Sequence, residues 1–204
     1  MGHDEGFGRW PTPAGLFEAV DGRLDAILSA KRAAHSRRTA QFAAEICERR
    51  GIDPERGRAA GIAHDMCKEL PRDEQRALAA LYPEEIVASP VIAEKILHGP
   101  AAAVVLARDY GVCDEGLLEA VAFHTVGRVG MGELAVAVYC ADKLEPGREC
   151  YDETFRRECL DLPLAGMLAA IIRNNVVWLE SRGKAVAPET FVLYNSLADG
   201  DSPR

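Results

Sequence analysis

An imidazole and a carboxylate stand side by side at His64-Asp65, and Lys68 follows in the stretch Gly61-Ile62-Ala63-His64-Asp65-Met66-Cys67-Lys68-Glu69-Leu70. On a helix, Lys68 lies one turn beyond both His64 and Asp65, so all three heads can face one pocket. Ala59, Ala60, Gly61, Ile62 and Ala63 before them are small or aliphatic, which lets such a helix lie deep in a bundle. A charge buried there needs a partner, and a divalent metal is one. The dipeptide alone is weak, because most His-Asp pairs are surface or hydrogen-bonded structural groups.

The remaining candidates give it weight. The chain has only five histidines, and four fall at telling places. His35 follows Arg32 by one turn, which puts a cation on its own face. His98 is expected where a helix begins beside Gly99-Pro100, and His124 near the end of another. Asp142 ends an otherwise apolar run containing Leu134, Val136, Ala137, Val138 and Tyr139; a buried aspartate in such a place is more often a satisfied polar group than a ligand. The order H … HD … H … H … D nevertheless assembles neutral imidazoles and carboxylates suited to Fe, Mn, Ni, Co or Zn. Ligands drawn from three helices leave coordination positions open.

Helices must position these groups. Leu16, Val20, Leu24, Ile27 and Leu28 recur at helical steps within 14–50, with Gly22 as a candidate break, and Phe42, Ala43, Ile46 and Cys47 continue the pattern to a Gly51 cap. Asp53-Pro54 starts the helix that carries His64-Asp65. Further helices are expected over 72–81, 101–110, from the Asp114 cap to Phe123, over 132–144, 164–182 and 188–197, with a proline-bounded connector at 82–90. No strand alternation and no repeat is present. The fold class is all-α, a single helical bundle spanning 21–198, with a loose arm at 1–20 and a tail at 199–204.

Composition narrows the function. With 204 residues, 48% hydrophobic and 6% aromatic, the chain can bury one substantial core of close-packed helices. A net charge of −8 argues against a nucleic-acid or membrane partner, and a polyanionic ligand would need a local basic cluster. The six cysteines form no C-x-x-C pair, which fits free thiols in a reducing cytoplasm. No stretch reaches the ~18 apolar residues of a membrane span, and Met1–Pro13 has no hydrophobic signal core. The expected location is cytoplasmic.

The ordered motifs resemble the HD-domain metal-dependent phosphohydrolase superfamily and, within it, the YqeK-like symmetrical diadenosine tetraphosphate hydrolases. The resemblance rests on Arg32-x-x-His35-Ser36, His64-Asp65-x-x-Lys68-Glu69, Leu97-His98-Gly99-Pro100 and His124-Thr125-x-Gly127. It extends to Ala141-Asp142-Lys143-x-Glu145-Pro146-x-Arg148 and Pro188-x-Thr190-x-x-x-Tyr194-Asn195, and covers roughly residues 24–198. Ala33-Ala34 departs from the family's frequent aromatic after the arginine, which bears on how a base is held.

The resemblance implies that His35, His64, Asp65 and Asp142 hold the metal, iron first, with Mn, Co or Ni as alternatives, as one ion or two. It implies that water activated at the metal attacks phosphorus, with Asp65 and Lys68 as catalytic groups. Asp65 would help take the proton; Lys68, Arg32 and Arg148 would neutralise phosphate oxygens. His98 and His124 would contact phosphate, the favoured role, or hold a second metal, and helix capping is their plain structural alternative. Thr125 and Gly127 would shape that loop. Glu69 and Glu145 read as salt-bridge groups or supports for ligands, and Arg37-Arg38 as a solvated face. The implied substrate is a dinucleoside polyphosphate, diadenosine tetraphosphate cleaved to two ADP, with an ADP- or GDP-like product, and a homodimer stays open. Two alternatives stand beside it: an HD nucleotidase acting on monophosphates or a signalling nucleotide, and a non-catalytic nucleotide-sensing module.

Overall fold

Small residues let the central helices approach one another, and the architecture follows from that. In the computed structural model, residues 11–83, 93–148 and 151–198 are described, and among them there are helices and no strand. The order is α1 (Pro13–Ile27), α2 (Ala30–Arg49), α3 (Pro54–Ala63), α4 (Arg72–Ala79), α5 (Ala93–Ile96), α6 (His98–Asp109), α7 (Glu115–Phe123), α8 (Glu133–Leu144), α9 (Glu153–Asp161), α10 (Leu164–Glu180) and α11 (Pro188–Ala198). The closest pairing is α2 on α3, with α8 against α2 and α3, α7 against α8, and α6 on the outer side of α7. Helix α10 covers α8 and carries α9 and α11. The expected all-α class holds.

The α2–α3 crossing depends on Gly61. A β-carbon there would meet the Ala40 Cα at 2.7 Å and its N at 2.9 Å. Ala40, Ala43, Ala59, Ala60 and Ala63 around the crossing are fully buried. Gly99 plays the same part between α6 and α7, where a β-carbon would stand 2.5 Å from the Ala122 carbonyl oxygen. Packing at this density tolerates no added side chain.

Several sequence expectations shift. The bundle begins at Pro13 and not at residue 21, because Leu16 and Val20 on α1 are buried in the core and Thr12 caps the helix from its side chain. The break in the first long pattern lies at Leu28-Ser29 and not at Gly22, which stays within α1 in open space. The Ser29 amide and hydroxyl donate to the Glu69 carboxylate at 2.6 and 2.7 Å, so a distant acid holds the turn. Helix α3 stops at Ala63, and His64 to Glu69 continue as tight turns instead of helix. Helix α6 already includes His98 and Gly99-Pro100 in its first turn, and α9, capped by Asp152, lies where no helix was expected. The Gly51 and Asp114 caps are as expected, with Gly51 at φ 71. Most of the 82–90 connector, His3, Cys150 and the 199–204 tail lie outside the described residues. Arg38 is not simply solvated, since it donates to Glu145, while Arg37 pairs with Asp21 and Asp25.

Replacing Gly61 by valine forces α2 and α3 apart. Thermal unfolding of Gly61→Val is expected to show a loss of at least ~1–3 kcal/mol; a wild-type melting temperature would contradict the close crossing.

Candidate metal centre

Helix ends orient the histidines. The last carbonyls of a helix have no partner within it, and two imidazoles take them. His64, just past α3, donates from Nδ1 to the Gly61 carbonyl at 2.7 Å, and His124, just past α7, donates from Nδ1 to the Val121 carbonyl at 2.7 Å. His35, in the second turn of α2, places Nδ1 3.0 Å from the buried Glu145 Oε1. Carbonyls and carboxylates accept only, so each Nδ1 carries the hydrogen and each neutral ring turns a bare Nε2 inward.

Those nitrogens meet carboxylates. His35 Nε2 lies 3.0 Å from Asp142 Oδ1 and 3.3 Å from His64 Nε2. His64 Nε2 is 3.7 Å from both Asp142 Oδ1 and Asp65 Oδ2. Asp65 Oδ2 completes the group 4.0 Å from His35 Nε2. The other oxygen of Asp65 faces a second cluster: His98 Nε2 at 3.1 Å, and His124 Nε2 and Lys68 Nζ both at 3.6 Å. Asp65 thus joins two sets of side chains, one at each oxygen.

The group fits a cation. His35, His64, Asp65, His124 and Asp142 are all buried, and sets of three of them bring one ligand atom each within 4.8 Å of one another. Asp65 Oδ1 is buried and receives no aligned hydrogen bond from any described residue, despite its neighbours. That oxygen faces the second cluster. In the first, the converging acceptors His35 Nε2, His64 Nε2, Asp65 Oδ2 and Asp142 Oδ1 are costly to bury unless positive charge sits between them. His35, His64, Asp65 and Asp142 are the residues that could hold a metal, the imidazole and carboxylate set expected from the sequence.

Electrostatics point the same way. Burial holds His64 neutral, down to about 4. Burial works upward on Asp65 and Asp142, yet both carboxyls sit well below the usual range. Around Asp65 the imidazoles of His64, His124 and His98 and the Lys68 charge prevail; around Asp142, Lys143, His35 and Arg148 do. Burial depresses His98, His124 and Lys68. Burial also works against charge on His35, but Asp142 and Glu145 together raise it, so a cation on its Nε2 is favoured. Glu145 itself is held at about 2, its burial outweighed by hydrogen bonds from His35 and Arg38.

A cleft of about 370 Å³ opens onto this centre. Of the residues expected to bind substrate, Arg32, Lys68, His124, Thr125 and Arg148 line it, while His98 lies fully buried behind, 2.9 Å from Lys68 Nζ. Arg32 reaches Asp65 Oδ2 at 3.2 Å, Arg148 reaches Asp142 Oδ1 at 2.6 Å, and the Thr125 hydroxyl is 3.1 Å from His124 Nε2. Sequence reasoning missed Tyr151, Asn175 and Trp178, which also line the cleft. The Asn174-Asn175 pair inside an apolar helix was the available signal. A larger groove of about 830 Å³ between Leu81–Pro83, α6 and α7 gathers no comparable set. Its Arg108 pairs with Asp109 and its Arg128 with Glu119.

The HD domain family model matches residues 32–147, the span from Arg32 past Asp142. The chain belongs to the HD-domain family. The symmetrical bis(5'-nucleosyl)-tetraphosphatase of Bacillus subtilis is 32% identical over 175 residues, covering 85% of this chain and 92% of that protein. The protein of the same name from Halalkalibacterium halodurans is 27% identical, over 83% of this chain and 90% of its own. A crystal structure from Clostridium acetobutylicum, described as a predicted HD superfamily hydrolase involved in NAD metabolism, superposes with a TM-score of 0.79 at 28% identity. It covers 90% of this chain and 97% of that one. Membership of the HD-domain family implies a divalent metal, in keeping with the acceptor cluster.

Glu145 is not among the residues lining this cleft; it holds the His35 ring from Nδ1. Glu145→Gln is expected to weaken Mn(II) binding, measured by calorimetry, about 10–100-fold with the helical circular dichroism unchanged. Unaltered affinity would remove Glu145 from that role.

Proposed function

We propose that this HD-domain protein is a metal-dependent phosphoanhydride hydrolase that cleaves diadenosine tetraphosphate symmetrically into two ADP. The observation that carries the reading is the triad of His35, His64 and Asp142, with Asp65 Oδ2 3.7 Å from His64 Nε2 and 4.0 Å from His35 Nε2, at a cleft lined by Arg32, Lys68, Lys143 and Arg148. The names borne by the bacillar relatives give the substrate. A metal held by the four acceptors would supply Lewis-acid activation of water and phosphate; iron is our first choice, with Mn, Co and Ni behind it.

Asp65 stays ionised, so it can hold the cation and accept the proton lost by the attacking water. Lys68, Arg32 and Arg148 neutralise phosphate oxygens as charge builds on them. Thr125 supplies a hydroxyl at the same wall. His124, with its Nδ1 hydrogen committed to Val121, donates to a phosphate oxygen from Nε2 only as the imidazolium. A single ion is preferred to two. The Lys68 ammonium already stands 2.9 Å from His98 Nε2 and 3.6 Å from Asp65 Oδ1, where it answers the second cluster's need for positive charge. That cluster leaves His124 at the cleft wall for phosphate, while His98, fully buried behind it, holds Lys68.

The free thiols Cys47, Cys67, Cys113, Cys140 and Cys159 fit a cytoplasmic location, and no described helix is long and apolar enough to cross a membrane.

Product analysis tests the reading. Incubation of the iron- or manganese-loaded protein with diadenosine tetraphosphate should yield ADP alone; ATP plus AMP, or no turnover, contradicts it, and free phosphate from monophosphates would favour a nucleotidase. Asp65→Ala is expected to lose metal and at least ~10³-fold in activity while keeping its helical content. Normal turnover by that variant would take Asp65 out of the site.

A further inference from the structure

Phosphate chemistry accounts for one side of the cleft only. The other side is built from Tyr151 and from Asn175 and Trp178, which lie one turn apart on α10 and share a face. Helix α10 rests on α8, the helix of Asp142, so this face stands beside the acidic centre. The Asn175 amide is half-buried and makes no hydrogen bond with any described residue. It offers a donor and an acceptor together, on a helix that is otherwise largely apolar. Trp178 has Arg182 and Lys184 against its ring, 4.2 and 4.9 Å from the centroid. Neither cation is among the described residues lining the cleft, whereas the indole is, so a base stacking on Trp178 takes the ring surface that these exposed side chains leave or vacate.

A molecule complementary to both sides is anionic at one end and flat, with paired hydrogen-bonding edges, at the other. Adenine presents a donor beside an acceptor on one edge, the complement of a side-chain amide, whereas guanine presents two acceptors there. An indole accepts any base as a stacking partner. We propose that Asn175 and Trp178 form the base subsite, with Trp178 as the stacking wall and the Asn175 amide selecting adenine over guanine. The proposal rests on the reading of the cleft as a nucleoside polyphosphate site, and it assigns the base contacts to α10 and not to the segment after Arg32.

Binding to the full-length, manganese-loaded protein, followed by calorimetry, tests this without turnover. Asn175→Leu and Trp178→Leu should each weaken ADP about tenfold and leave pyrophosphate unchanged. Trp178→Phe, which keeps a ring, should retain most of the ADP affinity. The wild type should bind ADP more tightly than GDP, and Asn175→Leu should erase the difference. Unchanged ADP affinity in the leucine variants overturns the subsite, as does an equal loss for ADP and pyrophosphate, or a wild type that binds no ADP. If the wild type binds ADP in this pattern yet does not hydrolyse diadenosine tetraphosphate, the proposed reaction fails and the base subsite stands.

Discussion

Two imidazole nitrogens with bare lone pairs and two ionised carboxylates face one another inside this bundle, and that arrangement governs the rest of the structure. His35 Nε2 and His64 Nε2 stand 3.3 Å apart with Asp142 Oδ1 beside them. Left to themselves such groups repel and lose their hydration. A cation between them turns the same geometry into an attraction. Asp65 extends the arrangement, because its second oxygen reaches the Lys68, His98 and His124 cluster, where an ammonium already provides positive charge.

Holding acceptors in contact requires rigid supports. The bundle supplies them through helix ends and small residues. Helices α3 and α7 stop one residue before a histidine, and the carbonyl three residues back fixes each ring. Gly61 and Gly99 let the backbones that carry His64 and His98 approach their neighbours more closely than a β-carbon permits. Glu145 orients His35 and is itself tied to Arg38 and to the Gly147 amide. The ordinary cost of burying polar groups is thereby spread over a network in which nearly every member has a partner.

Much of this was legible in the sequence because it is local. The Asp53-Pro54 and Asp114 caps and the Gly51 stop are read from neighbours in the chain, and the helices they bound are where those signals put them. The His64-Asp65 pair and the distant His35 and Asp142 were legible through their order and family likeness, and in the structure both imidazoles stand within 4.0 Å of both carboxylates. What escaped depends on contacts between residues far apart in sequence. The break at Ser29 is held by Glu69, which no local pattern reveals, whereas Gly22, the local signal, sits in open space. Leu16 and Val20 show helical spacing in the sequence, but that they belong to the core depends on α3 packing on α1, a contact no local pattern reveals, so the bundle's boundary at residue 21 falls inside α1. Arg38 looked solvated until its partner Glu145 came into view, and Asn175 and Trp178 became relevant only once α10 lay over α8.

The central claim is tested most directly by crystals of the purified protein examined by anomalous scattering at the iron and manganese edges. The account predicts an anomalous peak bonded to His35, His64, Asp65 and Asp142 together, and its loss in Asp65→Ala. A metal bound away from these four, or no metal with the four side chains unmoved, would contradict it.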